Sequence, residues 1–334
     1  MMLKSKFVFD FHRKIIKLAD EFDMLAGTRL LIIAVSGGAD SMSLLEVFTE
    51  ISVNRGFEIV AAHFNHKLRG DESDRDEAFV TGQCLARNIR LITGSADVKK
   101  YSVDNGIGIE EAARDCRYKF LFDVIRQLQD SDDVDKVRIA TAHNADDLAE
   151  TVIFNLTRGT GTGGLLGIPP VRDEIIRPML HISRAEIMEY IRIKGIKYVE
   201  DSTNSLTNQT RNIIRHNVMP VLKEINPRFT ETVVKSSELL RCDEEYLSSL
   251  ALKYLESQDT YRFENYLSLK SLNSLPLPVK SRVFKLIGGN NFSYKHIIAI
   301  HGLCGVGNPK RLIMLPGMTI QRKYNKIYFF PLSS

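Results

Sequence analysis

The chain has 334 residues, 44% of them apolar and 26% charged, with a formal charge of +4, which fits a folded globular protein long enough for two domains. No apolar run approaches the length of a membrane span, and the basic N-terminus lacks the long apolar core and small-residue cleavage site of a signal peptide. Four scattered cysteines (Cys84, Cys116, Cys242, Cys304) form no C-x-x-C pair, which argues against zinc or cluster ligation and for a reducing, cytoplasmic compartment.

Residues 7–26 have helical spacing, with Phe7, Phe11, Ile15, Ile16 and Leu18 on one stripe. The apolar run 30–35 predicts a first buried strand, and a helix follows through Phe48. Strands are then expected at 58–63, 89–93 and 136–141, alternating with helices at 71–88, 110–128 and 145–157. Short apolar strands alternating with helices predict an α/β fold, a doubly wound and mainly parallel sheet covered on both faces. Ligands in such sheets bind at the carboxyl ends of strands. The glycine-rich segment 158–167 reads as an active-site loop or lid, or as a plain linker. A capping box, Ser183-Arg184-Ala185-Glu186, opens a helix to Lys194. Helices are expected at 211–223 and 227–257, then at 278–287 and 294–303. A small β element over 311–330, with a Pro316-Gly317 turn, ends the chain. The expected domains are 1–215, a helical linker 216–257, and a smaller α+β substrate domain 258–334.

Charge is unevenly spread. Residues 211–334 hold 18 Lys or Arg against nine Asp or Glu, and from Asn265 onward there are ten basic residues and no acidic one. A basic half beside an acidic half suggests a polyanionic partner for the basic half, or a merely solvated basic face.

The loop Ser36-Gly37-Gly38-Ala39-Asp40-Ser41 joins the first strand to its helix. Glycines allow close backbone approach to a ligand, and free N–H groups at a helix start attract phosphate. Asp40 could orient metal-bound phosphate. The loop fits neither G-x-x-x-x-G-K-[ST] nor G-x-G-x-x-G, and a simple glycine turn is the competing reading. Past the fourth strand, His143-Asn144-Ala145-Asp146-Asp147-Leu148-Ala149-Glu150 places several carboxylates near one helix face. Such carboxylates call for a cation, either Mg²⁺ or a ligand's ammonium group, or else decorate a helix N-terminus. Arg114 and Arg117, with Tyr118, could hold phosphate, or could pair with Glu110 and Glu111 on the helix surface. His63 to Arg69 put two histidines and two cations at the end of the second strand. Glu200 to Asn204, together with Arg211, Arg215 and His216, could hold RNA phosphates or serve as turn and cap chemistry.

With these blocks in view, the loop resembles the S-G-G-x-D-S signature of the N-type ATP pyrophosphatases of the PP-loop superfamily, whose fold is adenine nucleotide α-hydrolase-like. The blocks around 63–69, 108–118, 141–161, 200–204 and 211–220 narrow the resemblance to the tRNA(Ile)-lysidine synthetases, in family order over about 28–225. The tail resembles the family's smaller substrate domain more loosely, and a further C-terminal domain of longer members is expected to be missing. Asn65, Asn144 and Leu148 depart from the family pattern. The resemblance implies ATP as co-substrate, Mg²⁺, L-lysine and the isoleucine tRNA with a CAU anticodon as partners. It implies no membrane and leaves a homodimer open. It implies an ATP-binding loop at residues 36–41 with Asp40 at the metal, and Asp146, Asp147 and Glu150 on the lysine. Arg114 and Arg117 are expected on phosphate or at the cytidine, Arg211 and Arg215 on the RNA side, and His143 as a base. Thiolation of a tRNA base by a related enzyme is the nearest alternative.

Overall fold

The computed structural model describes residues 2–68, 70–129, 137–200, 209–289, 292–305 and 311–331. Of the sequence blocks singled out above, Arg69 and residues 201–204 lie outside these. The chain divides into two compact units, residues 1–159 with 166–236, and residues 160–165 with 237–334.

In the first unit the elements run α1 (Met2–Glu21), β1 (Leu30–Ala34), α2 (Ala39–Arg55), β2 (Glu58–Asn65), α3 (Asp71–Ala86), β3 (Arg90–Ser95), α4 (Val98–Asn105), α5 (Ile109–Leu128), β4 (Val137–Ala140) and α6 (Ala145–Thr157). After the short helix α7 (Thr162–Leu165), which belongs to the second unit, come β5 (Val171–Arg172), β6 (Ile175–Ile176) and α8 (Arg184–Lys194). Then follow α9 (Gln209–Ile213), a π-helical turn (Ile214–Val218) and α10 (Met219–Ile225). The long helix α11 (Phe229–Glu256) leads into the second unit.

Six strands form one sheet in the order β3-β2-β1-β4-β6-β5. All neighbours are parallel except the β5–β6 edge hairpin. The mainly parallel architecture expected from the strand–helix alternation is therefore present. The pleat explains why β1 is apolar at every position. Leu30 and Ile32 pack with Leu121, Val124 and Ile125 of α5, while Leu31 and Ile33 point to the opposite face and are also fully buried. On another side of the unit, α1 and α2 pack with α8. There Phe11 stacks on Tyr190 at 4.3 Å, and His12 shares a 3.0 Å hydrogen bond with the Tyr190 hydroxyl.

The strand order sets the position of the ligand crevice. The chain steps outward from β1 to β2 to β3, then returns to lay β4 on the other side of β1. The connections leaving β1 and β4 therefore diverge, opening a crevice at their carboxyl ends. The loop 36–41 and the start of α6 stand on its two sides.

Some elements differ from the sequence reading. Helix α4 and the β5–β6 hairpin are too short to show a period. The helix expected over 211–223 is broken by the π-helical turn that precedes Pro220. Proline has no N–H to donate and its ring crowds the carbonyl one turn back, and the wider turn accommodates both.

The second unit adds α12 (Asp259–Glu264), β7 (Tyr266–Ser268), α13 (Leu269–Asn273), α14 (Leu277–Gly288), α15 (Tyr294–Cys304), β8 (Leu312–Leu315), β9 (Met318–Lys323) and β10 (Lys326–Pro331). Its antiparallel sheet has the order β7-β10-β9-β8. One face of that sheet, with Leu267, Ile320, Ile327 and Phe329, is buried in a core with Val283, Phe284 and Ile300. Within this unit the glycine-rich helix α7 meets α11 and α14: Thr162 donates to Glu244, which also pairs with Arg282 and Lys285.

Ile32 is fully buried at the centre of the large sheet. Ile32→Ala is expected to cost about 2–5 kcal/mol of stability, read from urea unfolding of the full chain. A loss below about 0.5 kcal/mol would contradict this placement at the core.

Candidate active site

The loop between β1 and α2 is held by its own serines. The Ser36 N–H donates to Ser41 Oγ at 3.1 Å, the two hydroxyls are 3.1 Å apart, and Ser41 Oγ donates to the Gly38 carbonyl at 3.0 Å. Gly37 sits at φ +92°, and a Cβ there would lie 3.2 Å from Val80 Cγ2, so glycine is required on both counts. Its carbonyl accepts the Val199 N–H at 2.9 Å. The N-cap of α2 is Gly38, which offers no capping side chain. The first-turn N–H groups of α2 are thus directed at the crevice with the positive end of the helix dipole behind them. Asp40 stands in that first turn and pairs with Arg184 at the start of α8. Burial pushes its carboxyl above the usual range, against the pull of Arg184.

Across the crevice, α6 begins with a complete capping box. Asn144 Oδ1 accepts the N–H groups of Asp146 (2.9 Å) and Asp147 (3.1 Å), and the Asn144 N–H donates back to Asp147 Oδ2 at 3.0 Å. The three carboxylates of this helix do not act as one cluster. Asp146 accepts the Arg184 backbone N–H at 2.7 Å and pairs with Lys223. Glu150 and Asp147 face Arg215. The guanidinium makes two 2.8 Å bonds to the buried Glu150 carboxylate and a third, at 3.3 Å, to Asp147. Arg215 is delivered by the π-helical turn. Burial pushes Asp147 up to about 6, reinforced by Glu150 and Asp40 and opposed by the bond from Asn144 and by Arg215. The bond to Glu150 raises Arg215 above its already high value.

A second group is dominated by arginines. Arg114 and Arg117 lie 5.0 and 5.5 Å from the centre of the Tyr118 ring. Arg177, almost fully buried, donates to the Pro169 carbonyl at 2.7 Å. Burial lowers Arg117 and Arg177. Burial pushes the Tyr118 phenol up, but the arginines beside it outweigh this and leave it below its ordinary value. His143 is hydrogen-bonded to Thr141 through Nδ1 at 3.0 Å. Loss of solvation, with Arg177, Arg117, Arg114 and Arg211 nearby, holds its imidazole down at about 3. Arg211 itself pairs with Glu110 at 3.1 Å. Clustered arginines around a neutral imidazole form an anion-binding surface.

The fold thus sets the loop 36–41, His143, Asp147, Glu150 and Arg215 around the β1/β4 crevice, and groups Arg114 and Arg117 with the His143 side. No motif or spacing in the sequence marks Arg177, Arg184 or Lys223 as functional. Arg184 was visible only as part of a capping box, and its partner Asp40 is 144 residues away. The three departures from the family pattern have structural work. Asn144 caps α6, and Leu148 is buried. Asn65 donates to Asp74 and Glu77 and accepts the Lys67 N–H. His63 donates from Nδ1 to the Val35 carbonyl at 2.8 Å, just ahead of the loop.

A family model described as a PP-loop domain matches residues 9–222. The chain is 41% identical over 231 residues to the tRNA(Ile)-lysidine synthase of Petrotoga mobilis, covering 69% of this chain and 72% of the relative. It is 34% identical over 319 residues to that of Geobacillus kaustophilus, covering 92% and 68%. Among solved structures, the U34-tRNA thiolase NcsA of Methanococcus maripaludis matches with a TM-score of 0.59 at 20% identity, over 71% of this chain and 80% of that one, a likeness of fold.

With its pKa near 3, His143 is expected to stay neutral from pH 5 to 8. Imidazole NMR of the ligand-free chain checks this, and a His143 titration midpoint near 6.5 would contradict it.

Proposed function

The chain belongs to the tRNA(Ile)-lysidine synthase family of PP-loop, ATP-using ligases, and from that premise we propose that it joins L-lysine to carbon-2 of the wobble cytidine in the CAU-anticodon isoleucine tRNA. The product, lysidine, shifts codon reading from AUG to AUA. The observation that carries this reading is the pairing, across one crevice, of a glycine-rich loop at a helix start with two carboxylates that already hold a cation.

The chemistry proceeds in two steps. The cytidine carbonyl oxygen attacks the α-phosphorus of ATP, the bond to the β-phosphate breaks, and pyrophosphate leaves. A lysine amine then attacks carbon-2, the C–O bond breaks, and AMP leaves with the oxygen. Activation is needed because the base oxygen alone is a poor leaving group, whereas AMP is a good one. The N–H groups of residues 36–41 bind the charge that gathers on pyrophosphate. Asp40 is one carboxylate beside the phosphate loop, a donor that suits Mg²⁺ bound mainly through substrate phosphates. When bound, the ion neutralises phosphate charge. Arg114 and Arg117, with Arg177, hold the α-phosphate or the cytidine.

Asp147 and Glu150 take the lysine ammonium, with Arg215 giving up or sharing its place. Arg215 and Arg211 then turn towards the RNA. Asp146 holds α8 and α10 to the site through Arg184 N–H and Lys223. At about 6, Asp147 is a better proton acceptor for the attacking amine than His143 at about 3, which serves as a neutral hydrogen-bonding group. The basic second unit holds RNA backbone, with salt-dependent affinity.

The thiolase alternative has less support, since the closer sequence likeness is to lysidine synthases and the thiolase likeness is one of fold. A silent RNA binder that keeps ATP as a switch is separated by multiple-turnover pyrophosphate release that needs both lysine and tRNA. Glu150→Gln is expected to raise the KM for lysine roughly ten-fold or more, as loss of a charged hydrogen bond does. An unchanged KM would remove Glu150 from the lysine site. In the wild type that KM is expected to climb as pH falls through about 6, where Asp147 takes up a proton and loses its charge. Asp147→Asn should abolish the climb, and a climb that survives would assign it to another group.

A further inference from the structure

The sheet of the second unit has a second face that its core does not use. Strand register fixes which residues share it. Tyr328 of β10 pairs with Tyr266 of β7 and with Gln321 of β9. Phe330 pairs with Thr319, and Thr319 with Met314 of β8. Lys326 pairs with Lys323. Antiparallel alternation therefore turns all of these away from Ile320, Ile327 and Phe329, which are buried in the core.

An outward face is ordinarily polar. This one carries rings: Phe330 is 39% exposed, and the neighbouring Met314 is 71% exposed. The Tyr328 and Phe330 rings lie parallel, 2° between planes and 5.8 Å between centres, and Tyr266 is 5.2 Å from Tyr328. Two cations sit among them, with Lys326 Nζ 4.0 Å from the Tyr266 ring centre and Lys323 Nζ 5.4 Å from that of Tyr328. Glu264, just ahead of β7, is the carboxylate that acts on Lys326, and from Asn265 onward the sequence holds no Asp or Glu.

We propose that this face is a stacking platform for unpaired RNA bases, with Phe330 and Tyr328 as the ring surfaces and Lys323 and Lys326 meeting the flanking phosphates. It rests on the reading of the chain as a tRNA-modifying enzyme and adds the part of the RNA that the second unit grips. Parallel rings flanked by ammonium groups match a nucleotide, which presents a flat apolar face beside an anion. A duplex stem hides its base faces and presents phosphates, 2′-hydroxyls and groove edges, so rings on the protein would gain no stacking from it. A second copy of the chain would set lysine against lysine. The favoured occupant is therefore a loop or an unpaired end of the tRNA.

The test uses the full chain and fluorescence anisotropy with a labelled unstructured RNA heptamer and an RNA duplex of equal charge. Phe330→Leu and Tyr328→Leu keep apolar volume and remove the ring. Together they are expected to weaken heptamer binding about ten-fold or more, and to leave duplex binding within about two-fold. Phe330→Trp should restore or exceed wild-type heptamer affinity. Lys323→Ala with Lys326→Ala should reduce the salt slope on both RNAs by about one to two. Equal affinities of wild type and the Leu double variant for the heptamer, or equal losses on heptamer and duplex, would overturn the proposal. So would concentration-dependent dimerisation that the Leu variants abolish. Lysidine formation is measured in parallel. If it is normal while the heptamer result fails, the platform alone is wrong. If the wild type forms none while the heptamer result holds, the platform stands and the proposed reaction does not.

Discussion

Four carboxylates converge on the crevice between β1 and β4, and three cations brought from later in the chain hold them. Arg184 takes Asp40, Lys223 takes Asp146, and Arg215 takes Glu150 and Asp147 together. Burial, and then the neighbouring charges of Glu150 and Asp40, keep Asp147 pushed up to about 6 in spite of Arg215. The ends of α2, α6, α8 and α10 are tied to one another by these pairs. Removing one partner would leave a partly buried charge without its counter-ion, which is costlier than never having built the pair. The acidic side of the crevice is thus shaped for a cation even in the ligand-free state, and Arg215 fills that role.

The other side has the opposite electrostatics. Arg114, Arg117 and Arg177 crowd Tyr118 and His143. A site with a cation-shaped wall and an anion-shaped wall can bring an ammonium and a phosphate together without either neutralising the other. Joining an amine to an adenylated base requires that separation.

Much of this plan was legible in the chain itself. The apolar runs at 30–35 and 58–63 are strands because both sheet faces are covered, and loop 36–41 announces itself by two glycines between a strand and a helix. Asp147, Glu150 and Arg215 were each picked out, but not their bond, since Arg215 and Glu150 are 65 residues apart and share no local pattern. Arg177 and Lys223 carry no spacing signal at all. The π-helical turn was hidden because its apolar spacing is close to that of an α-helix over so few residues. The outward rings of the last sheet could not be told from core residues, since Tyr328 and Phe330 alternate with Ile327 and Phe329 in one apolar run.

The proposed reaction makes a new carbon–nitrogen bond on a tRNA base, and the product nucleoside carries that bond. The chain is incubated with ATP, magnesium, labelled L-lysine and an unmodified CAU-anticodon isoleucine tRNA transcript, which is then digested to nucleosides. Label is expected in one nucleoside with the mass of cytidine plus lysine less one water, derived from the wobble position, and none is expected with Asp40→Ala. Label that stays with free lysine, or that enters any other nucleoside, would contradict it.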